Sequence, residues 1–228
     1  HEIATNGKRR VFFWTWDVDQ PFQFYSPALS ARDFKQNIAD FTQTIFLPES
    51  TQAATATVDG DVVVWDLSLI VDGLSRPDER RAVKIVHLFD HPINTIFVHA
   101  PFVVVGGADG AVRFYDYQFR VQAWFEDLSA GPVKSVSFAL QQDQDIIADE
   151  DEGFKCPHFL VATSSALCIL ADCSLFERVS ASERRGRLIL QGLDGGRDGG
   201  VYGLSCHPGA PHVAVCGLSG FLHVWNYK

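Results

Sequence analysis

Val58-Asp59-Gly60-Asp61-Val62-Val63-Val64-Trp65-Asp66 reads as a turn followed by a short strand. Asp-Gly suits a tight turn because Gly accepts positive φ, and the apolar run after it has strand length. The same order of residue types returns in Ala108-Asp109-Gly110-Ala111-Val112-Arg113-Phe114-Tyr115-Asp116 and in Leu218-Ser219-Gly220-Phe221-Leu222-His223-Val224-Trp225-Asn226. A weaker copy is Ser164-Ser165-Ala166-Leu167-Cys168-Ile169-Leu170. Aligning Gly60, Gly110, Ser165 and Gly220 gives spacings of 50, 55 and 55 residues. A leading copy, Asn6-Gly7 followed by Val11-Phe12-Phe13-Trp14, carries about two extra residues between turn and Trp.

Each copy predicts a hairpin, with two-residue turns at Asp59-Gly60 and Asp109-Gly110. A strand precedes each turn, at residues 53–57, 102–106, 159–163 and 213–217. Upstream lies another, with apolar residues at every second position, at 42–47, 94–99, 133–140 and 201–207. Further strands follow the aromatic–acid pairs at 83–89 and 119–126. Four short strands in a unit of about 40–50 residues is the signature of a propeller blade. The fold class predicted is therefore all-β, a partial WD40-type β-propeller of about four blades plus the end of a preceding one. Residues 1–17 end that preceding blade, 18–66 hold a linker with a short helix and then a blade, and 67–116 form a blade. Residues 117–172 form a blade with an acidic insertion at 141–153, and 173–228 form another. An arc of blades leaves bare strand edges, so the chain is expected to be part of a longer one. The absence of Met, with His1 at the start, fits an internal segment.

Composition narrows the function class. The 228 residues are 46% hydrophobic and 21% charged, which suits an ordinary packed core. A net charge of −9 disfavours nucleic-acid backbones and anionic membrane surfaces. No apolar run approaches the ~18–20 residues of a membrane span. Cys156, Cys168, Cys173, Cys206 and Cys216 are odd in number and irregularly spaced, which suits a reducing compartment. Of these, Cys168, Cys206 and Cys216 lie in apolar stretches and read as small core residues.

Several segments invite chemistry and do not carry it. The insertion holds Asp143, Asp145, Asp149, Glu150, Asp151 and Glu152, yet no frame within it gives the ligand order of a calcium loop. It reads as a solvated or partner-facing patch. Residues 192–200 are Gly-rich, but lack Lys-Ser/Thr and precede a strand, so they read as a loop rather than a phosphate cradle. Cys156 with His158, and Cys206 with His207 and Cys216, lack the paired spacing of zinc ligands, and His207-Pro208 suits a turn. Nucleophile motifs are absent, and Asp59 and Asp66 are explained by turn and blade geometry. The reading is a protein with no catalytic, cofactor-binding or metal-ligating residues. In residues 18–40, Ser30 is expected to cap a short helix running to Asp40, with Phe34 and Ile38 on one face. Residues 72–81 read as a charged loop.

These residues resemble the WD-repeat family. Trp65-Asp66 matches its terminal dipeptide, Asp90-His91 stands where it often has Gly-His, and Asp109 matches its turn aspartate. The resemblance implies structural motif roles for Asp59, Trp65, Asp66, His91, Asp109, Asp116 and Trp225. In that family His, turn Asp and Trp join a Ser or Thr in a hydrogen-bond network. Here the second copy has Tyr115 in place of Trp, and the first has no matching His.

Residues 26–30, 41–46, 54–66, 82–88 and 223–227 are similar, more narrowly, to WD-repeat proteins of the ciliary and flagellar axoneme. That resemblance implies a non-catalytic scaffold in the calmodulin- and spoke-associated complex, near the base of radial spokes, supporting spoke assembly and motility. Its partners would be radial-spoke and complex subunits. The doublet microtubule would be reached indirectly, since an acidic chain is repelled by an acidic lattice. Calcium-binding regions known in the family are not visible in this sequence. Phe34 and Asp149, Glu150, Asp151 and Glu152 are the candidate partner contacts. The alternatives are a WD-repeat adaptor in intraflagellar or vesicle transport, ubiquitin ligation or signalling, and a hydrolase built at the centre of the blades.

Overall fold

The structure is a computed structural model that describes residues 1–29, 34, 37–67, 79–126, 128, 130–138, 157–164, 167–171, 180–191, 201–218 and 220–228. Among these the elements are strands, apart from one 3-10 turn at Ala181–Glu183 and a single helical residue, Phe34. They form five antiparallel meanders. The first sheet is β1 (Glu2–Gly7), β2 (Arg10–Asp17) and β3 (Gln20–Tyr25). The second is β4 (Phe41–Phe46), β5 (Ala53–Thr57), β6 (Asp61–Leu67) and β7 (Arg80–His87). The third is β8 (Ile93–His99), β9 (Phe102–Gly107), β10 (Val112–Tyr115) and β11 (Val121–Phe125). The fourth is β12 (Val133–Phe138), β13 (Phe159–Thr163), β14 (Leu167–Ala171) and β15 (Arg187–Gln191). The fifth is β16 (Val201–Cys206), β17 (His212–Gly217) and β18 (Leu222–Asn226).

Burial explains the strand sequences. β5, β9 and β13 are buried at every residue, because apolar groups cover both faces of each. Such strands read as continuous apolar or small runs, not as alternation. β12 and β16 lie at sheet edges, and their burial follows a looser period.

Residues 1–103 and 117–119 make one compact unit. In it Val11 and Phe13 of the first sheet meet Phe41, Ala53, Val63 and Trp65 of the second. Phe13 meets Trp65 edge-on at 6.1 Å and 73°, and Phe41 meets it at 6.2 Å and 86°. Edge-to-face aromatic pairs add about 0.5–1.5 kcal/mol each beyond area burial. Residues 104–116 and 120–228 make the second unit. Its core holds Phe159, contacted by Phe125 at 5.4 Å and by Phe114 at 5.6 Å. A second cluster joins Leu160 and Ala162 to Val201, Leu204, Val213 and Val215.

Several expectations need correction. The Asp-Gly turns are three-residue loops. Gly60 N donates to Thr57 O at 3.4 Å and Gly110 N to Gly107 O at 3.3 Å. Asp is thus the second central residue, and Gly closes each loop at φ of +84° and +82°. A left-handed residue after a type I turn brings the strands back to their natural twist. In the leading copy Gly7 pairs with Arg10, so Lys8-Arg9 is the turn and Gly7 belongs to β1.

Residues 20–25 are a strand within the expected linker, where Pro21 is tolerated because β3 is an edge. Phe34 is helical and half-buried, but residues 37–40 are not helical, and 30–33 and 35–36 lie outside the described residues. Arg80 and Arg81 belong to β7 rather than to a loop. Sheet and sequence repeat are offset by one strand, since β7 pairs with β6 across the expected boundary after Asp66. Cys206 is half-buried and Cys216 exposed, so neither is a fully buried core residue. The acidic segment 141–153, the Gly-rich segment 192–200, Cys156 and Cys173 lie outside the described residues.

Candidate interaction surface

Trp65 sits on β6 diagonally across from Thr55 on β5, and its Nε1 donates to Thr55 Oγ1 at 2.8 Å. Both residues are buried, and a buried indole N–H needs such a partner. Thr55 Oγ1 lies 2.9 Å from Thr44 Oγ1 on β4. Thr44 gives its own proton to Asn6 Oδ1 at 3.2 Å, so Thr55 must be the donor to Thr44. Asn6 Nδ2 then donates to Thr42 O at 3.2 Å. The relay Trp65–Thr55–Thr44–Asn6 therefore runs from the interior of the second sheet into the first.

Asn6 is one of a recurrent kind. Gln43 of β4 accepts Ile96 N of β8 at 3.1 Å. In the second unit Ser135 Oγ of β12 accepts Leu204 N at 3.2 Å and donates to Leu204 O at 3.3 Å. Ser137 Oγ accepts Cys206 N at 2.9 Å. β4, β8 and β16 are edge strands with backbone groups that no neighbouring strand satisfies. A polar side chain of the preceding sheet satisfies them instead, which removes a desolvation cost of about 1–3 kcal/mol per group.

Arg80 makes the strongest link between the first two sheets. Its Nη1 and Nη2 donate to the two Glu2 oxygens at 2.9 and 3.0 Å, and its Nε to Thr51 O at 2.6 Å. The guanidinium lies 5.2 Å from the Phe13 centroid and 5.1 Å from that of Phe46. Hydrogen bonding to Arg80 lowers the Glu2 pKa below the usual carboxylate value. Burial is the largest single influence on Arg80 and works to lower its pKa, but the hydrogen bond and charge of Glu2, together with Tyr25, outweigh it and the net shift is upward.

The motif residues read from the sequence fall elsewhere. Asp59 is exposed at its turn, while Thr57 Oγ1 takes the Asp59 and Asp61 amides. Asp66 accepts Thr51 Oγ1, Gln52 Nε2 and Leu67 N. Burial pushes its pKa up, but these bonds prevail and hold it below the usual value. His91 is exposed. Asp109 accepts Ala111 N at 3.2 Å and Arg113 Nη2 at 2.6 Å, a local pair across its own turn. Tyr115, in the place of Trp, is buried, and burial pushes its pKa up to about 12. Asp116 accepts Arg120 N at 2.9 Å and Arg120 Nε at 2.6 Å. Trp225 is exposed, its ring 6.3 Å from that of His223. Asp149, Glu150, Asp151 and Glu152 lie outside the described residues.

Two sheet faces carry exposed apolar side chains. On the first, Trp14 repeats the Trp65 geometry, with Nε1 donating to Thr5 Oγ1 at 2.9 Å. Its ring lies 4.8 Å from that of Phe24, tilted by 35°; Phe24 is 61% exposed and Phe22 beside it 60%. On the fifth, Leu222 and Val224 are exposed on one face of β18 and Trp225 on the opposite one. On the first sheet Trp14, Phe22 and Phe24 form one continuous exposed apolar face, of the kind that packs against further protein. Among the described residues no group of three or more His, Cys, Asp or Glu could hold a metal ion. No helix among them is long and apolar enough to cross a membrane.

Comparison with known proteins gives consistent matches. The family description "CFAP251 N-terminal domain" matches residues 1–175, and "WD domain, G-beta repeat" matches residues 188–226. The chain is 43% identical over 232 residues to cilia- and flagella-associated protein 251 of Chlamydomonas reinhardtii, covering 99% of this chain and 28% of that protein. It is 32% identical to the protein of the same name in Tetrahymena thermophila, covering 100% of this chain and 24% of that one. The Mus musculus protein is 24% identical over 100% of the chain and 18% of its own length. The chain thus spans about a quarter of the length of these relatives. Among solved structures, the β-propeller domain of Cps50 (Swd1) from Myceliophteria thermophila matches with a TM-score of 0.66 at 14% identity. That match covers 100% of this chain and 67% of the other. It bears on fold alone: an all-β, partial WD40-type β-propeller.

Proposed function

From the premise that this chain belongs to the family of the CFAP251 N-terminal domain, we propose that it is a non-catalytic protein-interaction scaffold of the ciliary and flagellar axoneme. Its place is the base of the radial spokes, within the calmodulin- and spoke-associated complex, where it supports spoke assembly and motility. The observation that carries this reading is the 43% identity to a cilia- and flagella-associated protein across 99% of the chain. Within each unit, antiparallel sheets fastened by side-chain-to-backbone bonds supply a support on which loops and edges present separate docking surfaces. Contact is with spoke and complex subunits, and an overall charge of −9 favours basic partner surfaces over direct seating on tubulin. Phe34 and the acidic residues Asp149, Glu150, Asp151 and Glu152 are proposed as contacts.

Cross-linking mass spectrometry on isolated axonemes carrying the full-length protein tests this. Cross-links from residues 1–228 to radial-spoke base subunits are expected. Cross-links confined to intraflagellar-transport particles, vesicle coats or ubiquitin-ligase subunits would overturn the reading in favour of another WD-repeat adaptor.

A further inference from the structure

His87, the last residue of β7, has a carboxylate at each ring nitrogen. Nδ1 lies 2.8 Å from Asp61 Oδ1, at the start of β6, and Nε2 lies 3.0 Å from Asp90 Oδ1, in the connection leading to β8. A neutral imidazole has one N–H and one lone pair, so it can donate to only one carboxylate. Both bonds together require the imidazolium. The two acceptors differ in their surroundings: the Asp61 side chain is 19% exposed and that of Asp90 is 93% exposed. When the ring loses a proton, the bond to the strand residue Asp61 persists. The lone pair then faces the Asp90 carboxylate, which is free to turn into water.

The position of Asp90 gives that release a consequence. In the same connection Leu88 N donates to Gly60 O at 3.0 Å. Phe89 O lies only 1.7 Å from where a Cβ on Gly60 would stand, so this segment seals the β5–β6 turn. We propose that Asp61, His87 and Asp90 form a pH-sensitive clasp, closed when His87 is protonated, that holds the β7–β8 connection over the β5–β6 turn. The charged groups facing the ring are Asp61 from β6 and Asp90 from the connection. Hydrogen bonding to Asp61 is the largest influence on the ring. It outweighs slight desolvation, and with the bond to Asp90 it raises the His87 pKa above the ordinary histidine value. A raised folded-state pKa means that the clasp contributes below the unfolded value and is lost as pH rises through the folded one. The inference rests on this geometry and stands independently of the axonemal reading.

Two measurements on the full chain test it: NMR titration of the His side chains, and hydrogen exchange of the Leu88 amide across the same pH range. His87 is expected to titrate above the ordinary histidine value, and Leu88 protection to fall severalfold as His87 deprotonates. Asp90→Asn should bring the His87 midpoint down towards the ordinary histidine value and make Leu88 exchange independent of that titration. All three side chains of the clasp lie at the surface or near it, so the variants should retain the fold, which β-sheet circular dichroism checks. A His87 midpoint unmoved by Asp90→Asn, or Leu88 protection that ignores the titration, would overturn the clasp.

Discussion

Arg80 and Glu2, 78 residues apart, are joined by two parallel bonds of 2.9 and 3.0 Å, with the guanidinium between the rings of Phe13 and Phe46. The Arg80 side chain is 6% exposed and that of Glu2 is 42% exposed, so removing either partner has unequal effects. Arg80→Ala uncovers two aromatic rings and frees Thr51 O, and should destabilise by about 2–4 kcal/mol. Arg80→Lys keeps the charge but cannot reproduce the fork, and should lose about half of that. Urea denaturation followed by tryptophan fluorescence measures both, and a Lys variant as stable as the parent would remove the case for the fork.

The same pair predicts acid sensitivity. Hydrogen bonding to Arg80 lowers the Glu2 pKa from its ordinary value of 4.5. The carboxylate therefore contributes stability that is fully present above about pH 4.5 and is lost as pH falls through the lower folded-state value. Glu2→Gln should reduce stability at neutral pH and flatten this part of the acid limb. Stability curves for the two proteins, measured by denaturant titration from neutral pH into acid, should converge at the acid end. Parallel curves would show that Glu2 is not the group responsible.

Two glycines with nearly the same φ should respond very differently to substitution. Gly220, at φ +78°, has nothing within 4 Å of an added Cβ. Gly220→Ala then carries only the strain of a left-handed alanine, about 1–2 kcal/mol. Gly60, at φ +84°, would bring its Cβ against the Phe89 carbonyl oxygen at 1.7 Å. The carbonyl oxygens of Phe89 and, at 2.9 Å, of His91 that it would meet are backbone, so the β7–β8 connection must move. Gly60→Ala should cost several kcal/mol more than Gly220→Ala, read as a larger fall in thermal midpoint. Equal losses would mean that the connection yields freely.

How far these relationships can be read from sequence depends on whether they are local. β5 and β13 were legible to the residue, since Ala53–Thr57 and Phe159–Thr163 are apolar or small runs bounded by turn residues. The turn position was legible too, but its type was not. Asp-Gly fits the centre of a two-residue loop as well as the last two places of a three-residue loop, and only the pairing of Ala56 with Val62 decides between them. That single residue sets which Thr lies diagonal to Trp65, so the relay through Thr55 and Thr44 was hidden. A signal existed in retrospect: Thr5 and Trp14 repeat the Thr55 and Trp65 positions relative to their turns. Charge marks solvent in a local window, so Arg80 reads from sequence as a loop residue. Its partner Glu2 lies on another sheet, beyond the reach of periodicity. The motif roles of His91 and Asp109 rest on resemblance alone, and Asp109 instead pairs with Arg113, four residues along its own hairpin.

The two Trp–Thr pairs offer an internal control on what burial adds to a hydrogen bond. Thr55→Val removes the acceptor for Trp65 Nε1 and the donor to Thr44, and Trp65 is 1% exposed, so no water can replace it. The loss should be about 2–3 kcal/mol, the cost of leaving a buried donor unsatisfied. Thr5→Val breaks the same bond at Trp14, where the contact is exposed and water reaches the indole nitrogen, so the loss should be below about 1 kcal/mol. Combining Thr55→Val with Trp65→Phe should cost less than the sum of the two alone, because the indole donor is then absent. Denaturant midpoints of the single variants and the double variant measure this coupling. If the effects add, the 2.8 Å contact contributes no specific interaction, and Trp65 acts through its ring alone against Phe13 and Phe41.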